Sequence, residues 1–161
     1  MTAREAAPIL RRAGDADVGA ITALVADAYR PYESLIGRTP MPMLIHYEEA
    51  VRKHEVWVLE TDGMLLGILE LDPRADHLWI ENVAVAPRWQ GHGFGRLLLQ
   101  HAEAEARRRG LEEVRLLTNE RYLDNIAMYG RYGYRETDRV PYRGTDLVYF
   151  RKRLEEPDAG D

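Results

Sequence analysis

Gly91, Gly93 and Gly95 alternate with single residues in Pro87-Arg88-Trp89-Gln90-Gly91-His92-Gly93-Phe94-Gly95-Arg96, between a run of strand character and a long helical pattern. Glycine costs backbone entropy, so such a cluster marks a tight bend or a place where a ligand meets the main chain. A strand that turns at once into a helix aims several backbone N–H groups at one spot, where the helix dipole favours an anion. The chemistry implied is the binding of a phosphate group. Upstream, Glu81 interrupts Leu78-Trp79-Ile80-Glu81-Asn82-Val83-Ala84-Val85 in its middle. A carboxylate in an apolar strand is costly unless it is solvated, paired or used. Glu81 is therefore either a functional proton acceptor or a strand residue on a solvent-facing or salt-bridged side.

Other chemistries fail on particular residues. A dinucleotide fingerprint would need glycine where the chain has Arg96, and a P-loop would need Gly-Lys-Ser/Thr at its end. Ser34, the only serine, sits in Tyr32-Glu33-Ser34-Leu35-Ile36 and not in a Gly-x-Ser-x-Gly elbow. His46, His54, His77, His92 and His101 show no metal-ligand spacing, so no metal is expected, and His101 reads as a polar-face helix residue. The absence of cysteine removes disulfides, thiolate ligands and a cysteine acyl-enzyme.

These residues need elements to position them. Ile9-Leu10-Arg11-Arg12 reads as a short strand, and Asp15 with Asp17 predicts the cap of a helix carrying Ile21, Leu24, Val25 and Ala28 on one face. The proline-rich segment from Pro31 to Met43 predicts a functional loop or a broken helix, followed by a helical pattern at Leu44, Tyr47, Glu48 and Val51. From Glu55 the period becomes two, giving three antiparallel strands with Asp62-Gly63 as a hairpin turn. The third strand leads into the glycine cluster and a helix with Leu98, Ala102 and Ala106 on one face, closed by Gly110. A strand over Val114–Thr118, a helix over Leu123–Gly133 and two final strands complete one α/β domain over residues 1–154, with a disordered tail over 155–161.

Gln90-x-x-Gly93-x-Gly95, preceded by Val83-Ala84-Val85-x-Pro87, resembles the central motif of the GNAT superfamily of N-acetyltransferases. Asn125-Ile126-Ala127-Met128-Tyr129-Gly130-Arg131-Tyr132-Gly133-Tyr134 resembles that family's second signature, and the element order from Ile9 to Leu154 is the family's. The resemblance implies a mixed, largely antiparallel sheet of about seven strands flanked by about four helices. It also implies direct acetyl transfer from acetyl-coenzyme A to a primary amine. By the same resemblance Gln90, Gly91, His92, Gly93, Phe94 and Gly95 hold the pyrophosphate through backbone amides, with Arg96 near the phosphates. Val83 and Val85 offer backbone groups beside the thioester, Asn125 contacts the coenzyme arm, and Tyr129 protonates the departing thiolate. Tyr122 and Tyr132 are assigned to packing. An amine with a pKa near ~10 is almost wholly protonated at neutral pH, so a base must take its proton, directly or through water, and Glu81 is the candidate.

Specificity is expected from the segment Ala28–Met43, where Tyr29, Tyr32 and Glu33 could meet a cationic amine and Arg38 a carboxylate. A small metabolite is the favoured acceptor; a protein or peptide N-terminus, transfer of another acyl group, and a sensor that binds acetyl-coenzyme A without turnover remain alternatives. With 27 acidic and 22 basic residues and a net charge of −5, no affinity for nucleic acid is expected. Arg107-Arg108-Arg109 reads as a solvated helix end. No apolar run approaches a membrane span, and the first residues lack the apolar block of a signal peptide, so a cytoplasmic location is expected. The last strand, Asp146–Leu154, is read as an unpaired edge through which a homodimer could form.

Overall fold

A computed structural model describes residues 7–155. The strands are β1 (Ile9–Arg12), β2 (Glu55–Thr61), β3 (Met64–Pro73), β4 (Leu78–Val85), β5 (Glu113–Asn119), β6 (Arg135–Tyr142) and β7 (Thr145–Arg153). They form one mixed sheet in the order β1-β2-β3-β4-β5-β7-β6. Helices α1 (Val18–Tyr29), α2 (Glu33–Ile36) and α3 (Tyr47–Lys53) lie between β1 and β2, α4 (Phe94–Arg108) between β4 and β5, and α5 (Leu123–Arg131) between β5 and β6. The chain divides into two compact units: the first runs to Leu71 and takes up Asn82–Leu99, and the second comprises Asp72–Glu81 and the chain from Gln100 onward.

In the first unit β1 pairs antiparallel with β2, and β2 with β3. The β2–β3 turn places Asp62 at φ 49 and Gly63 at φ 77, the two positive values that a tight hairpin turn requires. β3 is buried on both faces from Leu66 to Leu71, which explains a nearly continuous apolar run where an edge strand would alternate. Gly67 is dictated by close approach: a Cβ there would lie 2.9 Å from Leu98 Cδ1 and 3.0 Å from the Ala84 carbonyl oxygen. α1 buries Ile21, Leu24, Val25, Ala28 and Tyr29, the face expected from the spacing. Ile21, Leu24 and Val25 each contribute roughly 1.5–3 kcal/mol of transfer free energy.

The expected cap by Asp15 and Asp17 takes a different form. Asp15–Asp17 is a short 3₁₀ turn, and Asp17 makes no side-chain cap bond to α1. Its carboxylate accepts the Gly14 N–H at 2.8 Å and two bonds from the Arg11 guanidinium, at 2.9 and 2.8 Å. Arg11 also reaches Glu60 at 2.9 Å. A bidentate guanidinium outcompetes one backbone N–H, so the side chain turns towards the strand. The segment after Pro31 is indeed broken, into 3₁₀ turns at Arg30–Tyr32 and Met41–Leu44 with the single turn α2 between them.

In the second unit β5 runs parallel to the start of β4, with Leu78 opposite Val114 and Trp79 opposite Arg115. β7 lies between β5 and β6, antiparallel to both. The unpaired edge is therefore β6, and the expectation of a free edge at β7 is corrected: both of its sides carry ladder hydrogen bonds. β6 is exposed along nearly all its length, carries Arg135, Glu136, Asp138, Arg139 and Pro141, and shifts register between Glu136 and Asp138, features that discourage edge pairing. α4 ends at Gly110, whose φ of 70 lets Leu111 N–H return to the Ala106 carbonyl at 2.9 Å. Glu103, buried, accepts a 2.6 Å bond from Lys152 and a longer one from the Tyr134 hydroxyl at 3.4 Å. Among the described residues no helix is long and apolar enough to cross a membrane. The expected disordered tail lies almost wholly outside the described residues.

Candidate active site

β4 carries the residues that matter, and its burial alternates with a single break. Leu78, Ile80, Asn82 and Ala84 are buried, Trp79, Val83 and Val85 are half-buried, and Glu81 is exposed. After Val85 the chain makes a 3₁₀ turn, Pro87–Trp89, closed by Trp89 N–H on the Ala86 carbonyl at 2.8 Å. Gln90 folds back, its side-chain amide donating to the Val85 carbonyl at 3.1 Å. This bond ties the turn to the end of the strand.

Gly91 and Gly93 have φ of 81 and 84, a region in which other residues are strained, while a Cβ at either would meet nothing within 4 Å. The glycines are there for backbone conformation and for an open surface, not for packing. His92 Nδ1 lies 3.2 Å from the Trp89 carbonyl and 3.1 Å from that of Gln90, so it must carry the proton and donate to both. Its ring stacks on Phe94 at 6.1 Å. Leu97 N–H closes the first turn of α4 on the Gly93 carbonyl at 3.1 Å. The N–H groups of Phe94 and Gly95 precede that bond at the N-terminus of α4. The N-terminus of a fifteen-residue helix favours an anion such as a diphosphate.

Asn82 anchors the same strand. Tyr29 donates its hydroxyl hydrogen to Asn82 Oδ1 at 2.7 Å, Asn82 Nδ2 donates to the Tyr47 oxygen at 3.2 Å, and Tyr47 donates to the Pro42 carbonyl at 2.8 Å. α1, the Met41–Leu44 turn and α3 are thus pinned to β4 by one buried amide. Tyr29 is buried in this network, with Tyr32 against its ring at 5.9 Å, while Tyr32 and Glu33 remain half-buried. Asn82 was not singled out by sequence; its signal was a polar residue at a position where alternation demands burial.

In the second unit Glu81 lines an open depression of about 630 Å³ with His77, Trp79, Arg115, Asp138, Tyr149 and Arg151 among its walls. The Trp79 indole N–H donates to Glu81 Oε2 at 2.9 Å, and the Trp79 ring is held by Tyr149 at 6.2 Å and by the Arg74 guanidinium at 5.4 Å. The carboxylate is therefore oriented but solvent-facing. Sequence reasoning missed the other walls, most of which come from three further strands; it also missed Trp79, whose place two residues before Glu81, and so on its face, was a signal that went unused.

Tyr129 is not among those walls. It is buried on α5 between Tyr134 at 6.0 Å and Phe150 at 5.8 Å, and Phe150 borders the depression. Burial, with the Glu103 carboxylate nearby, pushes the Tyr134 phenol far above its ordinary value, so it stays protonated. Asn125 is half-buried within the first turns of α5, whose N-cap is Tyr122, so Asn125 is not the cap of that helix. Among the described residues no group of His, Cys, Asp or Glu could hold a metal ion.

The model of the Acetyltransferase (GNAT) family matches residues 21–134, most of the chain. The protein belongs to the GNAT family of acetyltransferases. It is accordingly an acyltransferase. Over 92% of its length it is 31% identical to an aminoglycoside N(6')-acetyltransferase type 1 of Stenotrophomonas maltophilia, covering 95% of that protein. Over 80% it is 28% identical to an aminoalkylphosphonate N-acetyltransferase of Salmonella typhimurium, covering 85% of it. Its fold is that of the PaiA N-acetyltransferase from Thermoplasma acidophilum in complex with coenzyme A, at a TM-score of 0.77 and 16% identity, over 92% of this chain and all of that one.

Proposed function

We propose that this GNAT protein transfers the acetyl group of acetyl-coenzyme A directly to a primary amine of a small cytoplasmic metabolite. The observation that carries the reading is Glu81, an exposed carboxylate in the middle of an otherwise covered strand, oriented by an indole N–H and opening on a depression large enough for a small molecule. Acetyl-coenzyme A supplies a thioester carbonyl activated towards nitrogen. The backbone amides from Gly91 to Arg96 hold its diphosphate at the α4 N-terminus, with the Val83 and Val85 main chain alongside its acyl arm and Asn125 on α5 contacting it further along. Glu81 takes the proton from the ammonium form of the acceptor, directly or through a water, so that a neutral nitrogen can attack. The nitrogen–carbon bond forms as the carbon–sulfur bond breaks, the Tyr129 hydroxyl donates a proton to the leaving sulfur, and the second proton, shed by the acetylated nitrogen, passes through solvent to restore the Tyr129 phenol. Tyr29, Tyr32 and Glu33 are the residues proposed to meet the acceptor amine.

The test is release of coenzyme A thiol from acetyl-coenzyme A across amines, amino acids, polyamines, aminoglycosides and short peptides, with an amine-free control. Release confined to one chemical class, matched by the acetylated amine in mass spectra, is the expected result. Coenzyme binding without release from any class would instead indicate a sensor.

A further inference from the structure

Building on Glu81 as the base, we propose that the acceptor is a short zwitterion, an amine that carries its own carboxylate, phosphonate or phosphate. Its amine faces Glu81 and its anionic group faces Arg115 and Arg151.

The sheet register carries this inference. Arg115 on β5 stands directly opposite Arg151 on β7, and Arg151 directly opposite Arg135 on β6. Trp79 on β4 is level with Arg115. Directly opposite residues project from the same face with Cβ atoms about 5 Å apart, where like charges destabilise a sheet. Three guanidiniums in one row across three adjacent strands are therefore a local conflict. Glu113 relieves part of it, at 2.8 Å from Arg115 and 3.8 Å from Arg151, and Asp76 lies 4.0 Å from Arg115. Glu113 and Asp76 set against Arg115 and Arg151, each guanidinium with five N–H donors, leave donors to spare. The Arg151 side chain is 56% exposed, so those donors face solvent.

The depression thus holds both signs of charge in order. Glu81 is on β4, two residues and so roughly 7 Å along the strand from Trp79, and the arginines begin on the next strand. A simple cationic amine brought to Glu81 would be repelled by Arg115 and Arg151. An amine with an anionic group a few carbons away satisfies both, and relieves the like-charge row at the same time.

The experiment compares butylamine, 4-aminobutyrate and 3-aminopropylphosphonate as acceptors for the full chain, by steady-state kinetics and by calorimetric titration of each acceptor. The expected result is a kcat/KM at least tenfold higher for the two zwitterions than for butylamine. Arg151→Gln raises the KM of the zwitterions at least tenfold, leaves that of butylamine unchanged or lowers it, and does not lower the thermal midpoint; Arg151→Lys recovers part of the loss. The ratio between carboxylate and phosphonate identifies which anion the site prefers. Equal use of butylamine, an equal loss for all three acceptors in Arg151→Gln, or no calorimetric binding of either zwitterion overturns the proposal. Turnover of butylamine without preference sinks the zwitterion alone and keeps the transferase reading. Zwitterion binding that Arg151→Gln abolishes, without any acetylated product, keeps the anion site and sinks the transferase reading.

Discussion

The glycine turn and the Glu81 depression make opposite uses of the chain. In the proposed function the turn works through its main chain: ten consecutive residues carry it, their side chains are largely solvent-facing, and its marks are two positive φ values and the start of α4. The depression works through side chains gathered from β4, β5, β6 and β7, and no two strands contribute it alone. A backbone device can be written in one contiguous stretch of sequence. A side-chain device on a sheet depends on register, which is a long-range property.

Breaking the turn should give the largest effect. Gly93→Val forces a branched residue to φ 84, where it is strained although no protein atom stands in its way. Coenzyme affinity is expected to fall on the order of 100-fold by calorimetry, with the fold lowered by only about 1–2 kcal/mol. Unchanged affinity would mean that the turn's conformation does not hold the coenzyme. Next comes Tyr129→Phe, which keeps the ring packing against Tyr134 and Phe150 but removes the hydroxyl. A drop in kcat of about 10- to 100-fold at unchanged coenzyme affinity is expected; equal kcat would assign the thiolate's proton to solvent.

Asn82→Leu sharpens the comparison from the structural side. It deletes the two hydrogen bonds that join Tyr29 and Tyr47 to β4, at a cost of about 2 kcal/mol measurable by urea denaturation. A loss of kcat well beyond what that destabilisation explains would show that Asn82 also fixes the strand for catalysis. The smallest effect is at Asp17. The Arg11 hydrogen bonds, against some desolvation and with help from the Gly14 N–H, draw its pKa down to about 2. A depressed carboxylate stabilises the fold above its unfolded value near ~3.9 and loses that contribution as pH falls towards 2. Arg11→Leu should lower stability at pH 7 by about 1 kcal/mol after allowance for solvent screening, and the difference from wild type should narrow as the pH falls from 4 to 2.

Most strands and helices were legible because their signals are local. Asp62-Gly63 announced a hairpin, Gly110 a helix end, and strict alternation gave β2 and β4. The turn between β6 and β7 was not announced: Arg143 takes φ 49 beside Gly144 at φ 85, and arginine is a poor signal for that conformation. The edge was misread because β7 follows β6 in sequence yet lies inside it, as the long crossover from β5 through α5 allows β7 to insert beside β5. Glu81 was legible as a charge in an apolar strand. Its partner Trp79 and the facing arginines were not, since an isolated arginine in a β-strand reads as ordinary solvent exposure until the register lines three of them up.

The account stands on Glu81 as the base, and the direct measurement is kcat for the best amine with Glu81→Gln, alongside coenzyme affinity by calorimetry. The glutamine can still accept the Trp79 N–H but cannot take a proton at neutral pH. A fall in kcat of about 100-fold or more, with coenzyme affinity within twofold of wild type and a recovery of rate towards high pH where the amine deprotonates unaided, is the predicted result. A kcat within threefold of wild type at neutral pH would contradict it and leave Glu81 an ordinary solvent-facing strand residue.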